Sequence, residues 1–191
     1  MQERKELNMY YNKIHDDVIT VLKYGNILMS THTISITDID VNTVLSILNK
    51  YNSETQIVQL IDERICYSEK QLKLAGVLTI KSFNEKRNIS SKPQIEYMLY
   101  LAATTQIKEA IEKVGVKDKE KVCLVILTTT NGYNNTLLDV IKKETSIIVN
   151  ERNPVPDLTL IREIYNIGEN ISEKLLESII LTKIAVLDTY K

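Results

Sequence analysis

The chain has 191 residues, 43% of them hydrophobic, which is enough apolar material to fill one sizeable core. Its net charge of −1 excludes a general polyanion binder and leaves that role only to a local patch. No apolar run approaches the ~18 residues of a membrane span, no apolar signal region opens the chain, and two isolated cysteines make no disulfide framework, so a soluble protein of the reducing cytoplasm is expected, with no membrane partner.

Taken in chain order, residues 1–8 are expected to be disordered and residues 9–191 to form a single domain. Residues 9–13 and 26–36 are rich in Tyr, Ile, Thr and Met and read as strands. Asp40 can cap a helix whose apolar stripe is Val41, Val44, Leu45 and Leu48. Residues 56–62 are a further, almost wholly apolar strand. Ser68 and Gln71 have the spacing of a capping box, and the helix they open carries apolar residues around most of its circumference, so it packs on more than one side. It breaks near Arg87-Asn88. Pro93 suits the first turn of the next helix, which presents Ile95, Met98, Leu99, Leu101 and Ala102 to the core. Thr104 or Thr105 caps a third helix with the stripe Ile107, Ala110, Ile111 and Val114, and Gly115 is a suitable terminator.

Residues 121–130 (KVCLVILTTT) are the clearest strand; Asn131-Gly132 turns the chain, a short helix carries Leu137, Leu138 and Ile141, and residues 146–149 form a last strand. Two helices close the sequence, one over residues 158–165 and one capped by Ser172. Strand and helix do not alternate regularly. The expected class is therefore α/β of the α+β type: one domain with a mixed or mostly antiparallel sheet and helices packed on it.

Charge is unevenly spread. Residues 68–92 hold Lys70, Lys73, Lys81, Lys86, Arg87 and Lys92 against Glu69 and Glu85, a net +4, so the remainder carries −5. At about 100° per residue, Lys70, Lys73 and Lys81 fall within an arc of roughly 80° and can form one exposed basic strip. The plain alternative is a solvated helix face. Equipment for bond-making is missing from the sequence. There is no G-x-x-x-x-G-K-S/T or G-x-G-x-x-G loop and no G-x-S-x-G elbow. His15, beside Asp16-Asp17, and His32 are isolated, and Asp38-Ile39-Asp40 lacks the remaining ligands of a calcium loop. No catalytic residue, metal site or cofactor is expected; the pattern points to binding.

The order of elements over residues 68–116 resembles a known family. Arg87-Asn88-Ile89-Ser90 matches its R-N-I-A/S element. Glu96, Leu99, Tyr100, Leu101, Gln106, Ile107, Ala110, Ile111, Gly115 and Val116 fit its E-x-L-L-Y-L-x-G-x-R-Q-I-x-x-A-I-x-x-x-G-I/V block. The segment from Thr182 to Asp188 is similar to its C-terminal E-K-x-A-L-L-D habit. The family is that of the small KEOPS subunit that binds the Bud-type atypical kinase, the PRPK-binding protein family, here of archaeal type. Two positions depart from the pattern: Ala103 stands where the family has glycine, and Thr105 where it has arginine.

The resemblance implies a non-catalytic subunit that binds the atypical kinase subunit of KEOPS and the 3′ CCA tail of tRNA, in support of threonylcarbamoyl-adenosine formation. Under that reading Lys70, Lys73, Lys81, Lys86 and Arg87 attract the RNA backbone, and Asn88, Ser90, Ser91, Thr105 and Gln106 are the polar readers beside it. Taken one by one, Asn88 ends a helix, Ser90 and Ser91 cap one, and Gln106 is plain surface. The resemblance also places kinase contacts near the C-terminal helix, on Leu176, Ile179, Ile180, Lys183, Ile184 and Leu187; ordinary core packing is the alternative for that face. A kinase-binding scaffold that has lost RNA binding is the competing function, motivated by Thr105, and a small-molecule α/β enzyme is a third.

Overall fold

The computed structural model describes residues 20–21, 27–129 and 136–190. The strand expected over 9–13, the disorder expected over 1–8, the His15-Asp16-Asp17 cluster and the Asn131-Gly132 turn lie outside the described residues.

Strands β1 (Thr20–Val21) and β2 (Ile27–Ser35) are followed by helix α1 (Val41–Asn49) and strand β3 (Gln56–Asp62). Helices α2 (Glu69–Asn84), α3 (Pro93–Leu101) and α4 (Ile107–Val114) come next, then β4 (Val122–Thr129), α5 (Leu137–Thr145), β5 (Ile148–Val149), α6 (Leu158–Ile164) and α7 (Glu173–Leu187). The strands form one sheet in the order β1-β2-β4-β3, with β5 also paired to β2, and every pairing is antiparallel. The fold is α+β, as the unbroken helical block between β3 and β4 demands.

Strand β4 holds the centre because it is apolar on both faces. Cys123, Val125 and Leu127 point to one face, where α2, α3, α6 and α7 supply Leu72, Leu99, Ile161 and Ile180 to a single core. Val122, Leu124 and Ile126 point to the other, under Val44 and Leu48 of α1 and Ile141 of α5. Helix α2 packs on β4 through Gly76, where a Cβ would come within 1.9 Å of Leu127 Cδ1, so any larger residue there would have to displace that side chain.

Several local expectations have their physical cause in place. The Asp40 carboxylate accepts from the Asn42 amide at the start of α1, and Ser68 and Gln71 cap each other's backbone at the start of α2. Three details differ from expectation. Gln106 rather than Thr104 or Thr105 is the N-cap of α4, with the Thr104 hydroxyl accepting from the Gln106 amide. Gly115 ends α4 in extended backbone, φ −70°, so it is there for lack of space, its Cβ position lying 2.5 Å from the Ile111 carbonyl oxygen, and not for a left-handed turn. Ser146 belongs to the left-handed end of α5, which leaves only Ile148–Val149 as strand.

The return of the chain to α6 and α7 is pinned by polar contacts. Thr33 Oγ1 donates to the Asn150 and Arg152 carbonyls, and Arg152 pairs with the buried Glu63 carboxylate. At the end of α6, Tyr165 Oη donates to the Leu101 carbonyl and accepts from Gln71 Nε2, joining α6 to α2 and α3 in the core.

Candidate functional site

Helices α2 and α7 run side by side in the same direction. Lys70 Nζ meets Glu177 Oε2 at 2.9 Å near their starts, and Lys81 Nζ meets Asp188 Oδ2 at 2.8 Å at their ends. Eleven residues separate the partners on each helix, so the two pairs span about 16 Å of helix rise. Arg87 reaches the same end: it donates to the Asp188 carbonyl at 3.0 Å and to its carboxylate at 3.2 Å, and pairs with Glu85. Tyr100 Oη of α3 donates to Asp188 Oδ1 at 2.8 Å. Burial alone would raise the Asp188 carboxyl, but the hydrogen bonds from Lys81 and Tyr100 and the charge of Arg87 outweigh it and hold the group below its ordinary value. Burial, and then the Asp188 carboxylate, push the Tyr100 hydroxyl well up.

The basic strip is therefore not the open surface its helical projection implied. Lys73 is only 3% exposed and pairs with Glu69 one turn back, so it is withdrawn from the expected solvent-facing set. Lys70, Lys81 and Arg87 are held in the seam with α7. Lys86 and Lys92 are the cations of this window left exposed outside that seam.

The Arg87-Asn88-Ile89-Ser90 break has a definite geometry. Helix α2 ends in a Schellman motif: the Arg87 amide donates to the Ser82 carbonyl, the Lys86 amide to that of Phe83, and Lys86 takes the left-handed φ of 56°. The turn then closes around Glu96, one turn into α3. The Glu96 carboxylate is fully buried and accepts from the amides of Ile89 at 3.0 Å and Ser90 at 2.8 Å, with Ser82 Oγ donating to its other oxygen. Asn88 Nδ2 donates to the Ser90 carbonyl, and Ser90, itself buried, accepts from the Lys92 amide. These two side chains build the turn; Ser91 is exposed on it.

Thr105 and Gln106 are also exposed, but they are not beside that turn. The nine residues of α3 stand between the two groups, about 13 Å of helix. The polar readers thus form two clusters rather than one. Helix α3 ends in a second Schellman motif, with Thr104 N donating to the Leu99 carbonyl, Ala103 N to that of Tyr100, and Ala103 in the left-handed conformation, φ 50°. That is the position at which the resemblance expected glycine. An alanine there retains the motif at a cost of about 1 kcal/mol.

The C-terminal helix is divided in the opposite sense to expectation. Leu176, Ile180, Ile184 and Leu187 are buried in the core against α2 and α3, and Ile179 and Lys183 are half-buried at its margin. The assignment of the four buried residues to a partner surface is corrected: α2 and α3 already cover that face. What faces outward is Leu175, Thr182, Val186 and Tyr190, spaced at helical intervals, with Val186 41% and Tyr190 76% exposed. Beside this stripe lies a groove of about 330 Å³ lined by Lys113, Asn166, Lys183, Val186, Leu187 and Tyr190. Sequence reasoning missed Leu175, Val186 and Tyr190 because it followed the most apolar face. It also missed Glu96 and Asp188 as organising residues, although both stand in the motifs that carried the resemblance.

Among the described residues no group of three His, Cys, Asp or Glu side chains is placed to hold a metal ion, and no helix is long and apolar enough to cross a membrane. His32 is buried in β2 with Ser30 Oγ at 3.2 Å from Nε2. Cys66 and Cys123 are buried thiols; contact with Cys123 and burial both push the Cys66 thiol up, away from the reactive thiolate.

No curated protein matches the chain. A family model described as kinase binding protein CGI-121 matches residues 36–188. The match starts just after β2 and runs through the Glu96-centred turn to Asp188, so it takes in β3, β4 and β5, the α2–α7 seam, and Leu175 and Val186 of the outward stripe. It covers most of the sequence and agrees with the resemblance carried by residues 68–116: the chain belongs to the kinase binding protein CGI-121 family.

Proposed function

We propose that the chain is a non-catalytic subunit of a KEOPS-type tRNA-modifying complex, which docks the atypical kinase subunit on the outward face of α7 and holds the 3′ CCA tail of tRNA in support of threonylcarbamoyl-adenosine formation. Membership of a kinase-binding family carries the kinase half of this reading. The apolar stripe of Leu175, Val186 and Tyr190 beside the groove supports its location, since exposed aliphatic and aromatic side chains next to a concavity are what a protein partner anchors on. Lys86, Ser91 and Lys92 at one end of α3, and Thr105 and Gln106 at the other, support the RNA half: they are exposed, polar or cationic, and spaced for an extended strand rather than a single base.

The second reading is a kinase-binding scaffold without RNA affinity. It is favoured by the pairing of Lys70, Lys81 and Arg87 with acids and by Thr105 in place of arginine. A gel shift with tRNA carrying or lacking its CCA tail separates the two: at least tenfold weaker binding without the tail is expected, and equal or absent binding of both RNAs sinks the tail-holding role. Kinase docking is tested by Val186→Arg. Pull-down of the kinase should fall at least tenfold while the melting temperature stays near that of the wild type; undiminished capture would remove the α7 stripe from the interface.

A further inference from the structure

We infer that the C-terminal helix masks the basic strip of α2: Glu177 and Asp188 sit on Lys70, Lys81 and Arg87 where the phosphates of a bound strand would sit. The inference deepens the RNA half of the proposed function and rests on that reading. Its observation is the seam itself. Two acids eleven residues apart meet two lysines eleven residues apart, at 2.9 and 2.8 Å, and an arginine closes on the second acid at 3.2 Å. Lys70 and Glu177 are 69% and 36% exposed, and an exposed pair of this kind contributes little to holding two helices together. Leu176, Ile180, Ile184 and Leu187 already hold α7 in place.

The larger consequence of the acids is electrostatic. A tethered carboxylate within hydrogen-bond distance of each cation removes its unit charge from the surface field, and an incoming phosphate must compete with an acid that cannot diffuse away. The strip's excess charge is present in the sequence but withheld from solution. Affinity for RNA is consequently set by α7 as much as by the lysines.

The test is the paired variant Glu177→Gln with Asp188→Asn, titrated by fluorescence anisotropy with a single-stranded RNA oligonucleotide of unrelated sequence over a series of salt concentrations. Asparagine at 188 keeps an acceptor for Tyr100, so the seam is retained. Binding five- to tenfold tighter than wild type is expected, with the salt dependence steeper by about 1.4, the release expected for two new phosphate contacts on a single strand, at Lys70 and Lys81, since Arg87 keeps its pair with Glu85. Adding Lys70→Gln to the same background should cancel part of the gain. Unchanged or weaker affinity, with or without a lowered melting temperature, overturns the mask and leaves the acids a purely structural role. If the paired variant does not fold, Glu177→Gln alone should steepen the salt dependence by about 0.7, and no change there overturns the mask equally. Failure of the RNA reading is distinguishable: it would appear as indifference of the wild-type protein to the CCA tail, whatever the variants do with the unrelated strand.

Discussion

Replacing Ile180 by arginine is expected to unfold the chain. Ile180 is fully buried in the core shared by the sheet, α2, α3 and α7. A guanidinium there would lose its hydration without gaining a partner, at a cost of more than about 4 kcal/mol. Total stabilities of domains this size are only about 5–15 kcal/mol. Circular dichroism should show the cooperative melt lost or shifted far down, and the protein should pass into the insoluble fraction on expression. Val186→Arg, about one and two-thirds turns on and on the outer face, is the matched control and should melt within a few degrees of wild type. A folded, cooperatively melting Ile180→Arg would mean that this face of α7 is open rather than core.

Glu96→Ala should produce the second large effect. The Glu96 carboxylate satisfies two backbone amides and a serine hydroxyl inside the protein. Truncation leaves the two amides without this acceptor, while the Ser82 hydroxyl keeps the Thr79 carbonyl at 2.8 Å, and opens a cavity between α2 and α3, a loss of about 3–5 kcal/mol. Glu96→Gln keeps one acceptor and should cost about 1–2 kcal/mol. Urea denaturation measures both. Amide hydrogen exchange locates the damage: exchange at Ile89 and Ser90 should accelerate by at least tenfold in Glu96→Gln while β4 amides stay protected. Protection of Ile89 and Ser90 equal to wild type would show that the turn holds itself closed without Glu96.

Much of the fold was legible in the sequence because its signals are local. Asp40, the Ser68/Gln71 capping box and Pro93 each mark a helix start through contacts within four residues, and the apolar run of β4 is too short for a helix and too continuous for an exposed strand. The candidate site was only partly legible, because its decisive contacts are remote. A helical projection puts Lys73 beside Lys70 and Lys81, but it cannot tell which side of α2 will be covered, and the acids that meet Lys70 and Lys81 lie 107 residues away. The apolar face of α7 was identified correctly as a face. Core and interface use the same side chains, so burial against α2 and α3 was invisible until the third dimension decided it. The α2 and α3 termini were placed without knowing their form: Lys86 and Ala103 occupy left-handed positions for which glycine is the usual signal, and neither announces itself.

The central position of β4 has a consequence for the order in which the chain can assemble. Strands β2 and β3 never pair with each other; each finds its long ladder only on β4, up to about a hundred residues later than β2. Until residues 122–129 leave the ribosome, among the described residues β3 has no strand partner and β2 has at most β1, while the helical block from α1 to α4 is already complete. Folding is therefore committed late and by distant contacts, the regime in which closure entropy makes assembly slow and transient edges attract other chains. Helix α7, which follows all of these strands in the chain, can seat only after that sheet exists, so the surface proposed to receive a partner forms only once the sheet is in place.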